Sequence, residues 1–308
     1  MSPLSVLAPA KLNLFLAVTG RRADGYHDLV SVAAPLEFGD TLTMEPAETF
    51  SLTCDDPAVP TDETNLVLIA ARAWAEATGR RGGAKFVLQK RIPMGAGLGG
   101  GSSDAVAALR ALNAREGRPL ESAALAELAA RVGSDCALFF PGGPVVMRGR
   151  GERVAPLAAP VAARLRGRRV LIFQPGFAIA TPWAYAQLAA KAPGSYWPAR
   201  DAEARLAAWI GEAGAPAEAL LFNNMEQPAF AKFIALPALL DRLLTQFGLV
   251  ARMSGSGSAC FALLPEPATV AAGSRRPAAG PAVPVAAITQ EIRAAWGPAA
   301  FVVETRLA

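Results

Sequence analysis

The sequence predicts an α+β protein of two domains. The chain has 308 residues, whereas one domain usually takes about 100–200 residues. Hydrophobic residues make up 52% of the chain and charged residues 18%, which is typical of a globular protein and not of a disordered one. Segments with strand-like alternation are interspersed with segments of helical spacing. We place the domains at residues 1–160 and 161–308, with the boundary inside an Arg-, Ala- and Pro-rich stretch at 148–169.

The composition argues against several classes of protein. The formal net charge is +4 and the basic residues are scattered, which argues against a nucleic-acid binder but allows a small polyanionic ligand. The three cysteines are widely spaced and the chain has one histidine, so a structural zinc site is excluded. Neither a secretion signal nor an apolar run of about 18 residues is evident. We therefore expect a cytoplasmic protein that does not bind a membrane.

The opening of the chain is predicted to be β-rich. Residues 6–18 have the pattern of a strand, but Lys11 and Asn13 interrupt its apolar run, and a charge at that position needs a reason. A turn-rich loop over 20–27 follows. A helix begins at residue 64 or 65 and ends at Gly79, because apolar residues recur every three or four positions between a polar start and a glycine stop. Further strands are expected at 30–38, 41–44 and 85–90.

The same patterns define the remaining elements. Helices are expected at 105–112, 120–132, 181–188, 201–210 and 238–247. Gly133 takes the position just past the second of these helices, where a glycine often ends a helix. Two strand segments are expected between 136 and 147, and other strands at 169–174, 249–253, 259–264 and 301–305. The Ala-, Pro- and Gly-rich stretch 265–284 is predicted to be a long surface loop without chemistry.

A glycine-rich loop lies between a predicted strand and a predicted helix. Residues 93–104 contain five glycines followed by Ser102 and Ser103. Such a loop can turn sharply and expose backbone N–H groups, and the helix after it adds the positive end of its dipole, so the junction favours phosphate. A merely tight turn is the alternative. No Gly-Lys-Ser/Thr follows the glycines, which excludes a Walker A loop. About ninety β-rich residues precede them, which argues against a dinucleotide-binding fold.

Three motifs resemble those of the GHMP kinases. Residues 93–104 are similar to that family's ATP-binding motif, residues 8–14 to its first motif and residues 253–258 to its C-terminal glycine motif. The resemblance implies two domains, an N-terminal nucleotide domain like ribosomal protein S5 domain 2 and a C-terminal ferredoxin-like domain, with ATP and Mg²⁺ bound in the cleft between them. It places the following residues at the nucleotide: Asn65, Met94, Gly95, Ala96, Gly97, Leu98, Gly99, Gly100, Gly101, Ser102, Ser103 and Asp104. Helix capping is a competing use of Asn65.

The resemblance also implies a catalytic pair. Asp135 is expected to accept the proton of the acceptor hydroxyl, and Lys11 to lie beside it and favour the ionised carboxylate. From the residues alone, Lys11 could equally be a strand-end lysine and Asp135 a turn residue. Asn13 follows Lys11 by two positions, so both side chains are expected on the same strand face. Asn13 could hydrogen-bond the substrate or the catalytic pair, and an edge-strand amide is the alternative.

Within the family, the chain is similar to members that phosphorylate the 2-hydroxyl of 4-diphosphocytidyl-2-C-methyl-D-erythritol for isoprenoid precursor synthesis. The resemblance places Tyr26 and His27 at the cytidine and Tyr185 over the other face of its base. Packing is the alternative role of Tyr26 and His27. Thr181 is expected near the substrate or as the cap of its helix. A small-molecule cytidyl diphosphate is thus the expected substrate, and a homodimer is a hypothesis.

Two other functions stay open at this point. Another small-alcohol kinase, for homoserine or mevalonate, would share the fold, but those acceptors have no base to stack on Tyr26. A non-catalytic nucleotide-binding protein would also share it, although the presence of both Lys11 and Asp135 argues against that. The loop at 254–258 either meets the site from the second domain or is a tight strand connection. Residues 136–140, Cys-Ala-Leu-Phe-Phe, depart from the family's usual pattern.

Overall fold

The computed structural model describes residues 2–265 and 284–308. The strands of this part of the chain are β1 (Leu4–Arg21), β2 (His27–Ala47), β3 (Ser51–Cys54), β4 (Gly83–Gln89), β5 (Val145–Gly149), β6 (Arg153–Pro156), β7 (Arg169–Gln174), β8 (Phe222–Asn223), β9 (Ala251–Met253), β10 (Cys260–Leu263) and β11 (Phe301–Arg306). Its α-helices are α1 (Leu66–Thr78), α2 (Gly100–Arg115), α3 (Ser122–Val132), α4 (Ala159–Ala162), α5 (Thr181–Ala190), α6 (Ala199–Gly211), α7 (Glu226–Lys232), α8 (Ala235–Phe247) and α9 (Val285–Trp296). Two 3-10 turns span Cys136–Phe139 and Ala217–Leu220.

The first sheet is built on the long antiparallel pair β1 and β2. Its strand order is β3-β4-β2-β1-β8, and β5 and β6 continue from β2. The pairing of β1 with β2 is irregular between Pro9 and Lys11 and between Asn13 and Phe15. Such irregularities bend a strand and redirect its side chains. They flank the polar pair Lys11 and Asn13, which are both buried inside the apolar strand.

The second sheet confirms the ferredoxin-like arrangement. Its order is β11-β7-β10-β9, and every neighbouring pair is antiparallel. Four helices, α5 to α8, connect β7 to β9, and α9 precedes β11. The sheet strands therefore run β-α-β-β-α-β along the chain.

The predicted helix boundaries near the glycine loop hold up well. Asn65 Oδ1 accepts a 2.9 Å hydrogen bond from the Val67 N–H and caps α1, and Gly79 ends it in the left-handed conformation at φ 64°. The α2 helix begins earlier than expected, at Gly100, directly after Gly99 at φ 75°. The last two glycines of the loop thus belong to the first turn of α2.

Strand pairing and hydrogen bonds connect the two halves of the chain. The short strand β8 lies in the second half of the chain but pairs parallel with β1 in the first sheet. Leu307, near the C-terminus, bridges to Leu36 of β2, and the Trp197 N–H donates to the Val18 carbonyl oxygen over 3.0 Å. The domain limits 1–160 and 161–308 stay a prediction.

Two local predictions are wrong. Residues 136–139 form a 3-10 turn instead of a strand. All four are buried, and a continuous apolar run does not by itself distinguish a strand from a helical turn. Gly133 does end α3 as predicted, and its backbone is extended, with φ −168°. The segments 30–38 and 41–44 are parts of the single strand β2.

Other parts of the chain add to the sequence analysis. The sequence patterns did not predict β3, β6, α4, α7, β8 or α9. The loop predicted at 265–284 lies, except for its two end residues, outside the described residues. No helix in the described ranges has the length and apolar character needed to cross a membrane.

Candidate active site

A cavity of about 1230 Å³ opens between the two sheets and collects nearly all of the predicted site residues. The residues predicted at the catalytic centre, the nucleotide and the substrate that line it are Lys11, Asn13, Tyr26, His27, Asn65, Met94, Gly95, Ala96, Gly97, Leu98, Gly99, Gly100, Gly101, Ser102, Asp104, Asp135, Thr181 and Tyr185. Ser103 does not line the cavity; it is buried in the first turn of α2. Residues far apart in sequence therefore meet in one place.

The glycine loop is held from both sides. On one side the Lys11 N–H of β1 donates to the Leu98 carbonyl oxygen over 2.9 Å. On the other, the loop at 254–258 packs against Gly97, whose carbonyl oxygen accepts a 3.1 Å hydrogen bond from Ser254 Oγ. Gly97 has φ +78°, and a Cβ there would lie 2.2 Å from the Ser254 carbonyl oxygen. Only glycine fits this close approach, so the loop at 254–258 meets the site instead of merely connecting two strands.

The glycine loop has the geometry of an anion cradle. Gly95, Gly97 and Gly99 all have positive φ, and the loop runs into the N-terminus of α2, whose first N–H groups have no partner within the helix. Gly99 is the N-cap residue of α2, and as a glycine it has no side chain to accept hydrogen bonds from those groups. Open N–H groups at a helix start, reached through a turn of this kind, favour a phosphate.

A buried ionic cluster supports the cradle from below. Lys90 Nζ contacts the carboxylates of Asp40 and Asp104, the latter at 3.0 Å, and all three side chains are almost fully buried. Asp40 also accepts the N–H groups of Arg91 and Ile92, at 2.5 and 2.8 Å. Burial raises the pKa of Asp104 to about 7, although the Lys90 charge opposes the rise. No local sequence pattern predicts this cluster, because Asp40 and Lys90 lie fifty positions apart.

Lys11 and Asp135 form an ion pair at the centre of the cavity. Lys11 Nζ lies 3.5 Å from Asp135 Oδ2, and the Lys11 side chain is 5% exposed against 39% for Asp135. Asp135 lies directly before the 3-10 turn at Cys136–Phe139, and from there its carboxylate reaches Lys11 of β1. The Lys11 side chain therefore does not face solvent as a strand-end lysine would. Asp135 does lie in a turn, and it is also paired with Lys11.

Asn13 orients the lysine. Its Oδ1 accepts a 2.5 Å hydrogen bond from Lys11 Nζ, and its Nδ2 donates to Ser31 Oγ over 2.9 Å. Ser31 in turn donates to the Phe15 carbonyl oxygen over 2.6 Å. This buried chain fixes the Asn13 amide, and the amide fixes the position of the ammonium group.

The far end of the cavity is aromatic. The His27 ring lies 4.8 Å from the Tyr185 ring and 5.9 Å from the Tyr196 ring, between centroids. His27 Nε2 is buried and has no hydrogen-bond partner among the described residues. Burial lowers the pKa of His27, with Arg21 adding to the effect, and it raises the pKa of Tyr185 to about 12. Both side chains are thus neutral near pH 7, and the unpaired ring nitrogen is suited to a polar ligand.

Helix capping was a possible role of both Thr181 and Asn65, and the structure shows it for Asn65 only. The helix α5 begins at Thr181 itself, and the cap position belongs to Ala180 without a side-chain hydrogen bond, so the capping role for Thr181 is wrong. Its hydroxyl instead lies 2.8 Å from Ser256 Oγ. Asn65 caps α1 and also lines the cavity, so the capping role is confirmed and the nucleotide contact stays a prediction.

Two further residues at the site carried no sequence signal. Arg150 lines the cavity from the hairpin that joins β5 to β6. Asn223 of β8 donates from Nδ2 to the Met253 and Gly255 carbonyl oxygens, both at 2.8 Å, and so holds the loop at 254–258. A glycine-flanked arginine and an asparagine in a two-residue strand have no distinctive pattern, so only the fold reveals them.

Comparison with known proteins places this fold and site in one class. The family model for the GHMP kinases N-terminal domain matches residues 65–144, and the one for the GHMP kinases C-terminal domain matches residues 206–279. The chain belongs to the GHMP kinases. These are ATP-dependent kinases, and the two-domain α+β fold predicted from the sequence is confirmed.

The similarity extends to one kind of GHMP kinase. The chain is 38% identical, over 88% of its length and 93% of the relative's, to the 4-diphosphocytidyl-2-C-methyl-D-erythritol kinase of Salinibacter ruber. It is 39% identical to the protein of that name from Alcanivorax borkumensis, over 85% and 82% of the two chains. A crystal structure of 4-(cytidine 5'-diphospho)-2C-methyl-D-erythritol kinase superposes with a TM-score of 0.73 at 35% identity, covering 99% of this chain and 100% of the other.

More distant structures share only the fold. A homoserine kinase from Cytophaga hutchinsonii superposes with a TM-score of 0.72 at 19% identity, and covers 100% of this chain and 95% of its own. The similar TM-scores show that the backbone alone does not separate acceptors.

Proposed function

We propose that this protein transfers the γ-phosphoryl group of ATP to the 2-hydroxyl of 4-diphosphocytidyl-2-C-methyl-D-erythritol, giving the 2-phosphate and ADP in isoprenoid precursor synthesis. One observation carries the proposal: a single cavity holds the glycine loop, the ion pair of Lys11 with Asp135, and a ring-lined end around His27. Such a cavity fits a reaction that transfers a phosphoryl group from a nucleoside triphosphate to an acceptor carrying a second nucleoside. The names of the close relatives support the same reaction.

The residues around the glycine loop fit the triphosphate of ATP. The positive-φ glycines and the first turn of α2 present N–H groups to it, and Ser102 adds a hydroxyl. No cluster of three His, Cys, Asp or Glu side chains suited to a metal occurs in the described part of the chain. We therefore assign Mg²⁺ to the nucleotide's own phosphates, where it neutralises charge. Asn65, at the start of α1, is assigned to the adenosine end.

Asp135 and Lys11 carry the chemistry. Asp135 accepts the proton of the acceptor hydroxyl while the oxygen bonds to the γ-phosphorus and the bond to ADP breaks. The Lys11 ammonium, 3.5 Å from the Asp135 carboxylate, offsets the negative charge that develops on the reacting oxygens. Asn13 keeps the ammonium pointed at this centre through its 2.5 Å hydrogen bond.

His27, Tyr26 and Tyr185 are assigned to the cytidine. The Tyr185 ring and the half-exposed Tyr26 ring supply faces for stacking, and the unpaired Nε2 of His27 supplies a hydrogen bond to the edge of the base. Thr181 is assigned to the acceptor through its place beside Ser256. We propose the cytoplasm as the site of action, and the homodimer stays a prediction that sedimentation equilibrium can test.

The test is ADP release with Mg²⁺ and ATP across four acceptors: 4-diphosphocytidyl-2-C-methyl-D-erythritol, mevalonate, homoserine and galactose. Selective turnover of the cytidyl compound supports the proposal. Selective turnover of another alcohol contradicts the assignment of the ring-lined end. If none of the four acceptors causes ADP release while ATP still binds, the proposed reaction is contradicted and a non-catalytic nucleotide-binding protein is favoured.

A further inference from the structure

Arg150 lines the cavity but has no role in the proposed phosphoryl transfer. Four Lys and Arg side chains of the described residues line the cavity: Lys11, Arg21, Lys90 and Arg150. Lys11 is paired with Asp135, and Lys90 is held by two buried carboxylates. Arg21 stands opposite His27 in the β1–β2 register. Arg150 makes no ion pair with any described residue, so its charge is available to a ligand.

The hairpin that carries Arg150 is built to hold it over the cavity. Its flanking glycines, Gly149 and Gly151, have φ +67° and +115°, which a residue with a Cβ rarely adopts. A Cβ on Gly149 would lie 2.4 Å from a carboxylate oxygen of Glu152, and that carboxylate accepts the Arg150 N–H at 2.7 Å. The backbone conformation of the two glycines and the hydrogen bond from the Arg150 N–H thus hold the hairpin tip.

The tip lies between the two ends of the proposed acceptor site. A Cβ on Gly151 would lie 3.6 Å from the Ser134 carbonyl oxygen and 3.9 Å from Asp135 Oδ1, so the backbone beside Arg150 reaches the reacting end. The guanidinium carbon of Arg150 lies 4.9 Å from the centre of the Tyr26 ring, at the end assigned to the nucleoside. Asp24 lies near Arg150, whose charge contributes to lowering the pKa of the Asp24 carboxyl group. The Asp24 oxygens already accept hydrogen bonds from Arg22 Nε and the Tyr26 N–H.

We propose that Arg150 binds the diphosphate bridge of the acceptor, with its guanidinium donating to phosphate oxygens while it stays stacked on Tyr26. This inference rests on the proposed function, because the diphosphate is what links the alcohol at Asp135 to the base at His27. A planar guanidinium can donate two parallel hydrogen bonds to a phosphate and keep its face on an aromatic ring. Arg150 therefore selects acceptors that carry this anionic bridge.

The test compares CDP with cytidine, measured by titration calorimetry with the ATP site filled by a non-hydrolysable ATP analogue and Mg²⁺. The variants are Arg150→Gln, Arg150→Lys and, as the matched control, Arg153→Gln. Arg153 lies on the same hairpin but outside the cavity lining, so its replacement removes the same charge from the same hairpin. We expect Arg150→Gln to weaken CDP binding by about 10- to 100-fold, with cytidine binding changed less than about twofold. Arg150→Lys should fall between, and Arg153→Gln should resemble the unmodified protein.

Two results would overturn the inference. Equal losses for CDP and cytidine in Arg150→Gln would mean that Arg150 acts only by supporting the Tyr26 ring. An unmodified protein that binds CDP no more tightly than cytidine would mean that no diphosphate site exists. Thermal unfolding of each variant checks that the fold is intact. Turnover of the acceptor panel is measured separately. If the protein turns over the cytidyl acceptor but binds CDP no more tightly than cytidine, only the role of Arg150 is contradicted. If it binds CDP more tightly than cytidine but turns over no acceptor, only the proposed reaction is contradicted.

Discussion

Asp135 is the residue on which the proposed chemistry depends most directly. Replacing Asp135 with Asn keeps the size and polarity of the side chain but removes the proton acceptor, so we expect kcat to fall by about 10²- to 10⁴-fold. The carboxylate is assigned to the acceptor hydroxyl and not to the nucleotide, so ATP affinity should change little. Steady-state kinetics with the cytidyl acceptor, together with calorimetry of ATP binding, measures both quantities.

An exposed aspartate gives the matched control for that variant. Asp241 lies on the outer face of α8 and is exposed, so Asp241→Asn makes the same chemical change without touching the cavity. Its kcat should equal that of the unmodified protein. Near-normal turnover in Asp135→Asn would contradict the assignment of the base, whatever the control does.

Tyr185 tests the ring-lined end. Removing its ring by Tyr185→Ala takes away the partner of His27 at 4.8 Å and one stacking face for the base. Stacking on an aromatic side chain contributes about 1–3 kcal/mol per base, so the KM for the acceptor should rise by about tenfold or more. The KM for ATP should stay near its original value, and Tyr185→Phe, which keeps the ring, should keep most of the acceptor affinity. Equal effects of Tyr185→Ala on both substrates would remove Tyr185 from the acceptor site.

The glycine loop is the element whose shape depends most on the absence of side chains. Gly97→Ala puts a methyl group 2.2 Å from the Ser254 carbonyl oxygen in a left-handed backbone conformation. The conformation alone costs about 1–3 kcal/mol, and the clash separates the two glycine loops. We expect a lower free energy of unfolding by at least that amount and a higher KM for ATP. Urea unfolding and ATP-dependent kinetics measure the two effects.

Gly101 is the control within the same loop. Its φ lies outside the positive range, and the nearest atom to an added Cβ is Leu66 Cδ1 at 3.7 Å, an ordinary contact. Since Gly101 lies in the first turn of α2, Gly101→Ala should leave the free energy of unfolding unchanged or raise it slightly. If Gly101→Ala and Gly97→Ala destabilised the protein equally, the close approach of the two loops would not be what requires glycine at 97.

At the scale of elements, most of the fold could be predicted because the signals are local. The α1 helix has its asparagine cap and glycine stop within its own sequence, and β7 runs from Arg169 to Gln174 just as the apolar run predicts. The 3-10 turn at 136–139 could not be predicted, because its four apolar residues pack under the cavity in a way that only the neighbouring elements determine.

The site shows the same division between local and long-range information. Lys11, Asp135 and the glycine loop lie in recognisable motifs, so the sequence predicted their meeting. Asp40, Lys90 and Asn223 act on the site through contacts made across the fold, and no spacing along the chain connects them. Arg150 lies inside the stretch that looked like a domain boundary, since a glycine-flanked arginine has no pattern of its own.

At the scale of the whole molecule, the two halves hold the site together. Asn13 of β1 donates its N–H to Ser254 Oγ over 3.3 Å, and both hydrophobic clusters contain residues from each half of the chain. The cavity lies where the halves meet, so its geometry depends on the stability of the complete fold. Conditions that change this stability should therefore change the site as well.

The pH dependence of that stability has a specific source at Glu226. Burial raises its pKa to about 7, although the Met253 N–H and Arg252 favour the charged form. A carboxyl group whose pKa is higher in the folded state than in the unfolded one stabilises the fold below its unfolded pKa, and this stabilisation is lost as pH rises through the folded pKa. Asp104, with its pKa also raised to about 7, acts in the same direction, whereas the lowered pKa of His27 acts in the opposite one.

Comparison of variants isolates the part due to Glu226. Glu226→Gln can keep the acceptor for the Met253 N–H, which lies 2.8 Å from Oε1, but it has no charge to bury at high pH. From pH 5 to pH 8 the unmodified protein should therefore lose about 1–3 kcal/mol of unfolding free energy relative to Glu226→Gln. Urea titrations at pH 5, 6, 7 and 8 measure this difference, with Glu76→Gln on the exposed face of α1 as the control. A difference that stays constant across this range would mean that Glu226 is ionised throughout, and that Arg252 outweighs the burial of its carboxylate.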